Sequence, residues 1–232
     1  MGLVTVGPPG EIVLELARLG NAAAFVETGT FQGRTTLWAS KHFDAVFTIE
    51  RSEDLFALHE EGLRQLRGVR PLLGHSREVL PTVVAELGDR NALFWLDGHW
   101  SGEGTAGADD ECPLLEELAC LSQRGRDIIL IDDARLFLCA PPRPYQPSAW
   151  PNIADIVDAL SGSRGRRFVQ IVDDVIFCVP EENPQLKNRL VEYAQDRADA
   201  LWRDFMALQR NAPRKRGWRS VLSPFKRRNT AA

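Results

Sequence analysis

Nowhere does the sequence carry an apolar run approaching the ~18 to 20 residues that a membrane-spanning helix requires. Its first ten residues, MGLVTVGPPG, lack the basic flank and long apolar stretch of a secretory signal. Val6 stands where a myristoylation signal at Gly2 would carry Ser or Thr. Cysteine is scarce: Cys112, Cys120, Cys139 and Cys178 form no C-x-x-C pair and have no histidine at zinc-finger spacing, so free thiols in a reducing compartment are expected. No internal repeat occurs. Also missing is the dinucleotide pattern G-x-G-x-x-G. Counted from Gly29, its second and third positions hold Phe31 and Arg34, and a phenylalanine at 31 obstructs the backbone approach of a pyrophosphate, which argues against NAD or FAD. Together these absences point to a cytoplasmic protein.

What is present supports one α/β domain with elaborations: 232 residues, 44% of them hydrophobic, suffice for a sizeable core. The formal charge of −4 is unevenly spread. Between Arg214 and Arg228 stand seven basic residues and no acid, which leaves −11 on the remainder. Residues 1–211 are therefore expected to form the domain, and 212–232 a separate basic tail, amphipathic or disordered. Trp218, Val221, Leu222 and Phe225 recur in that tail at helical spacing. Such a segment suits a peripheral contact with an anionic inner membrane surface, or it solubilises the chain or packs on a partner subunit in a homo-oligomer. Nucleic acid is the less favoured partner.

The chain is organised around FVETGTFQGRTT, Phe25 to Thr36. An apolar run from Ala22 to Val26 meets Glu27, then a turn with Gly29 and Gly33, then a helix-like run from Thr35 to Lys41. This is a strand, a glycine turn and a helix, the arrangement in which a nucleotide-type ligand sits at a helix start with Glu27 facing it. A helix is expected before it over Glu11 to Leu19. After it the reading runs: strand Asp44 to Glu50, helix Ser52 to Leu66, strand Val69 to Leu73, helix Arg77 to Leu87 with Ser76 as its N-cap, and strand Asn91 to Asp97. A glycine-rich loop over Ser101 to Gly107 reads as a lid or a plain surface loop. Pro113 then opens a helix with Leu114, Leu115, Leu118 and Leu121 on its buried face. Strand Asp127 to Asp133 is apolar throughout before its terminal acids. Five prolines in Pro141 to Pro151 mark an excursion. Helix Ile153 to Leu160, an antiparallel pair Arg167 to Val172 and Val175 to Val179 around a turn at Asp173-Asp174, and a long helix Leu186 to Gln209 with Trp202 and Phe205 inward complete the reading.

Acids gather where such a sheet binds ligands, outside the carboxyl ends of its strands. Glu27, Asp97 with His99, and Asp132 with Asp133 all fall there. Clustered carboxylates repel unless they share something positive, and a hard divalent cation with oxygen ligands is the simplest answer; strand-end aspartates that merely cap helices are the alternative. Glu50, 21 residues after Gly29, stands where an acid grips ribose hydroxyls.

The pattern E-x-G-x-F-x-G-x-T, with LDGHW and, about thirty residues later, IDD, resembles class I S-adenosylmethionine-dependent methyltransferases over roughly Ala22 to Val179. The likeness is to the metal-dependent O-methyltransferases of the macrocin (TylF-like) sugar and catechol or caffeoyl-CoA types. It implies a Rossmann-like seven-stranded methyltransferase sheet, mostly parallel with an antiparallel edge strand, flanked by helices. It further implies S-adenosylmethionine bound by Glu27, Thr28, Gly29, Thr30, Gly33, Thr35, Glu50, Ser76 and Asp97. His75 stands where the family commonly has an acid. On the resemblance Asp97, Asp132 and Asp133 hold Mg²⁺ or another divalent cation, which would orient and acidify a hydroxyl of a sugar, glycan or secondary metabolite. Asp97 and His99 are the catalytic candidates, His99 as the base. The catechol enzymes use a lysine for that task and none is nearby here. Two rival readings remain: a metal-independent small-molecule methyltransferase, and a non-catalytic cofactor-binding or scaffold protein.

Overall fold

The computed structural model describes residues 7–102, 105–162 and 164–211. The expected basic tail at 212–232, most of the irregular lead-in, and Glu103 and Gly104 of the glycine-rich loop lie outside the described residues. Two compact units are present, Met1–Gln195 and Asp196–Ala232. The first contains the sheet.

Helix α1 (Gly10–Leu19) precedes strand β1 (Ala24–Thr28), and the order continues α2 (Arg34–Ala39), β2 (Ala45–Glu50), α3 (Glu53–Arg64), β3 (Val69–Leu73), α4 (Ser76–Leu87) and β4 (Ala92–Leu96). Then follow α5 (Leu114–Cys120), β5 (Ile128–Ile131), α6 (Arg135–Leu138), a 3₁₀ turn at Pro147–Ala149, α7 (Ile153–Ser161), β6 (Arg167–Val172), β7 (Val175–Pro180) and α8 (Pro184–Asn211). The strands form one sheet in the order β3-β2-β1-β4-β5-β7-β6. All neighbours are parallel except those of β7, which runs against both β5 and the edge strand β6.

Side chains alternate across a strand, and here both faces are covered. Ala92, Phe94 and Leu96 of β4 pack on one side with Leu80, Val83 and Leu87 of α4 and Leu118 of α5. Leu93 and Trp95 pack on the other with Ile12 and Leu16 of α1 and Leu186 and Leu190 of α8. Double coverage is why β4 and β5 read as unbroken apolar runs. β1 is also the point where strand order reverses: β2 lies on one side of it and β4 on the other. Connections that leave β1 and β4 for opposite directions open a crevice beyond their carboxyl ends.

Three local expectations need correction. The N-cap of α4 is His75, whose side chain accepts the Arg77 N–H at 3.4 Å, and Ser76 is already the first helical residue. Leu115 is exposed, pointing away from the face that buries Leu114 and Leu118. Trp202 and Phe205 do not face inward: both are exposed.

Candidate active site

The glycine turn after β1 is built for close approach. Gly29 has φ of 87°, a left-handed conformation that disfavours any side chain, and a Cβ there would be driven into the Asp97 carbonyl oxygen. The turns after β1 and β4 therefore lie against each other, and the Asp97 N–H donates to the Thr28 carbonyl at 3.2 Å and to its hydroxyl at 3.1 Å. Gly33 has a different duty from the one expected. It sits at φ 69° before α2 with Leu63 beside its Cα, so backbone conformation and packing require the glycine rather than a ligand.

A cavity of about 470 Å³ opens beyond these turns. Gly29, Phe31, Glu50, His75 and Ser76 line one part; Asp97, His99, Asp133, Arg135 and Tyr145 line another, with Ser101, Thr105 and Ala106 at its border. Of the proposed cofactor residues, Gly29, Glu50, Ser76 and Asp97 border the cavity. Glu27, Thr28, Thr30, Gly33 and Thr35 do not. Thr30 and Thr48 hydroxyls meet at 2.5 Å.

Glu27 is buried, and its Oε1 accepts the Thr36 hydroxyl. Burial pushes its carboxyl up to about 8, against the lowering effect of the Thr36 and Thr48 hydroxyls. Burial thus favours its neutral form, and it stands behind the residues that border the cavity. Glu50 is the acid that does face the cavity. Its Oε2 accepts the Phe31 N–H and its Oε1 the Ser52 N–H, both at 2.8 Å. Each carboxylate oxygen has a second lone pair, so a pair of ligand hydroxyls can still be accepted.

At the other end of the cavity, Nε2 of His99 lies 3.0 Å from Oδ2 of Asp133 and Nδ1 lies 3.8 Å from Oδ1 of Asp97. Burial lowers the His99 pKa, but the Asp133 hydrogen bond and the charges of Asp97, Asp133 and Asp132 outweigh it and hold the imidazole above its usual 6.5. Burial works against the Asp133 charge too. His99 and Arg135 more than offset it, and Asp133 lies below the usual carboxylate range.

The structure brings Asp97, Asp132 and Asp133 to one rim but does not join them as a ligand set. Among the described residues no group of three or more His, Cys, Asp or Glu side chains is arranged to hold a metal ion. Both oxygens of Asp133 already have partners, Oδ2 the His99 ring at 3.0 Å and Oδ1 the Arg135 guanidinium at 2.7 Å. Asp132 is different. Its Oδ1 accepts the Asp133 N–H at 2.8 Å, whereas its buried Oδ2 has no hydrogen-bond partner, and burial pushes this carboxyl up to about 7.

No family model matches the chain, and no curated protein matches it. Solved structures do. A Staphylococcus aureus protein assigned as a caffeoyl-CoA O-methyltransferase aligns with a TM-score of 0.51 at 14% identity, covering 76% of this chain and 86% of that one. A Klebsiella pneumoniae protein assigned as an O-methyltransferase gives 0.48 at 16% identity, over 77% and 83% of the two chains. A Streptococcus mutans protein assigned as a methyltransferase and crystallised with SAH gives 0.44 at 14% identity, over 75% and 98%. The fold is the Rossmann-like methyltransferase fold. Identities this low bear on fold alone, so the chemistry has to come from the residues.

Several of those residues were not singled out in the sequence. Arg135 is one example, and its partner Asp174 was read only as part of a turn: Asp174 accepts the Arg135 N–H at 2.8 Å, pairs with its guanidinium, and accepts the Ala134 N–H through its carbonyl at 2.8 Å. The Asp173-Asp174 turn thereby anchors the segment that carries Asp133. Glu117 is another. Buried behind the Asp97–His99 turn, it is pushed up to about 7 by burial, with the Ser76 and Thr28 hydroxyls acting to lower it. Its position three residues after Leu114, on the face that also holds Leu118, was a readable signal that it is buried.

The loop beyond His99 is held at its far end. Arg51 pairs with Asp109 at 2.8 Å, while the Asp110 carboxylate meets His75 at 2.9 Å and Arg77 at 2.7 Å. An acid does reach the turn after β3, but Asp110 supplies it. Glu111 ties in the proline-rich excursion: it accepts the Trp150 indole N–H at 2.6 Å and the Gln146 N–H at 3.0 Å. Trp150 in turn packs edge-on against His99 and Tyr145, ring centroids 5.3 Å away in both cases.

Proposed function

We propose that this chain is an S-adenosylmethionine-dependent methyltransferase that acts on a hydroxyl of a small molecule or glycan. The observation that carries the proposal is one cavity, at the switch point of the sheet, with Glu50 at one end and the Asp133–His99 pair at the other. Glu50 suits ribose hydroxyls, and bare backbone at Gly29 gives close access. Glu50, Asp97 and Asp133 give the lining a negative character that suits a cofactor bearing both a sulfonium and an ammonium group. When bound, the cofactor supplies an electrophilic methyl group; the acceptor oxygen forms the new C–O bond as the C–S bond breaks. His99 takes the acceptor proton on whichever ring nitrogen is free, and Asp133 holds the ring and balances the imidazolium that results. Trp150 packs T-shaped against the ring.

In this reading Arg135 offsets the charge of Asp133, and His99 stays neutral until it takes the proton. A second reading has Asp97, Asp132 and Asp133 share a divalent cation, and the unpartnered Oδ2 of Asp132 favours it. That reading requires Asp133 to release His99 or Arg135. The test is transfer of labelled methyl groups from S-adenosylmethionine to a panel of sugars, glycans and phenols, with and without chelator. Binding of the cofactor without transfer to any acceptor would instead favour a non-catalytic binding protein.

A further inference from the structure

Helix α8 supplies the described part of the second unit, from Asp196 to Asn211. Leu201, Trp202, Phe205 and Leu208 stand at i, i+1, i+4 and i+7, which is one side of a helix, while Asp199 and Arg203 fall on the opposite side and Arg197 and Asp204 at the border. An apolar side of this kind is what a helix in a globular domain buries. Here it is open: Leu201 is 61%, Trp202 62%, Phe205 47% and Leu208 72% exposed. The Trp202 and Phe205 rings lie against each other, centroids 5.5 Å apart, so the aromatic pair forms a continuous patch rather than scattered exposed residues.

Charge identifies what covers the patch. The sequence that follows α8 places seven Lys or Arg residues and no acid between Arg214 and Arg228, with Trp218 and Phe225 among them. A second copy of this chain is the rival occupant, and sedimentation velocity below separates it from a bilayer. An anionic bilayer satisfies both features. Leucine and aromatic side chains enter the boundary between headgroups and acyl chains, and Lys and Arg meet the headgroup phosphates. We propose that this side of α8 docks on an anionic lipid surface, with the residues between Arg214 and Arg228 supplying the electrostatic attraction. The contact is peripheral: among the described residues no helix is long and apolar enough to cross a membrane. The inference does not depend on the catalytic reading.

The experiment is co-sedimentation of the full chain with vesicles of phosphatidylcholine alone and of phosphatidylcholine containing about a third phosphatidylglycerol. The double variant Leu201→Glu/Phe205→Glu alters exposed positions only, and circular dichroism confirms that it folds. The expected result is pelleting with anionic but not neutral vesicles, weakened by added salt and reduced roughly tenfold or more in the double variant. Brominated lipids should quench tryptophan fluorescence, and less of it in Trp202→Phe. Four outcomes would overturn the proposal: no pelleting with either vesicle; equal pelleting by wild type and double variant; equal retention by duplex DNA at the same salt; or sedimentation velocity showing a lipid-free dimer that the double variant dissociates.

Discussion

Nε2 of His99 lies 3.0 Å from Oδ2 of Asp133, and the same aspartate uses its other oxygen to hold Arg135 at 2.7 Å. One carboxylate therefore orients the candidate base, and its contacts with His99 and Arg135 hold it below the usual carboxylate range. Asp174 fixes Arg135 from the neighbouring turn, so the arrangement depends on β7 and the turn before it as much as on β4 and β5.

If His99 is the base, it must be deprotonated to act. The logarithm of kcat/KM should rise with unit slope and level off above a midpoint higher than 6.5, because the surrounding carboxylates raise the imidazole. Asp133→Asn removes one of those charges and should move the midpoint down. His99→Ala should lower turnover by ~10² to 10⁴ and abolish the limb, with S-adenosylhomocysteine binding retained. A retained limb in His99→Ala would assign it to another group.

Chelation separates the two charge-balancing schemes. If Arg135 alone offsets the charge at Asp133 and no cation is shared, activity should survive EDTA, and Arg135→Ala should lower it without preventing folding. Loss of activity in EDTA with recovery on adding Mg²⁺ would transfer Asp97, Asp132 and Asp133 to the role of metal ligands.

Glu27 gives folding stability a definite pH dependence. The carboxyl has an ordinary value of 4.5, and burial raises it to about 8 in the folded chain. Between those values the unfolded state loses a proton that the folded state keeps, so stability falls as pH rises through the window and flattens above it. Glu117 and Asp132, each raised to about 7 by burial, act in the same direction. Glu27→Gln keeps an acceptor for the Thr36 hydroxyl. It should flatten the slope and add roughly 2 to 4 kcal/mol at the alkaline end, at about 1.4 kcal/mol per unit. Urea unfolding across the window measures this; an unchanged slope would contradict it.

The sheet was legible in the sequence because burial on both faces leaves strands apolar and because turn glycines interrupt them. Val69–Leu73 matches its expected bounds, and the strand-end acids Glu50, Asp97, Asp132 and Asp133 were found by position alone. Periodicity reports which side of a helix is apolar and not what covers it, which is why Trp202 and Phe205 were read as inward. Helix α6 is four residues long, too short for any period to register. The tie between Asp174 and Arg135 spans 39 residues, and Asp110 reaches His75 across 35. Such pairings belong to the tertiary fold, and no local pattern encodes them.

The central claim is that the cavity bordered by Gly29 and Glu50 binds S-adenosylmethionine, and calorimetric titration with S-adenosylhomocysteine tests it most directly. Wild type should bind one equivalent saturably. Glu50→Ala should weaken that binding by ~1 to 3 kcal/mol through loss of charged hydrogen bonds, and Gly29→Val should abolish it, since a side chain there meets the Asp97 carbonyl. No saturable heat from folded wild-type protein, or equal affinity in wild type and Glu50→Ala, would contradict the account.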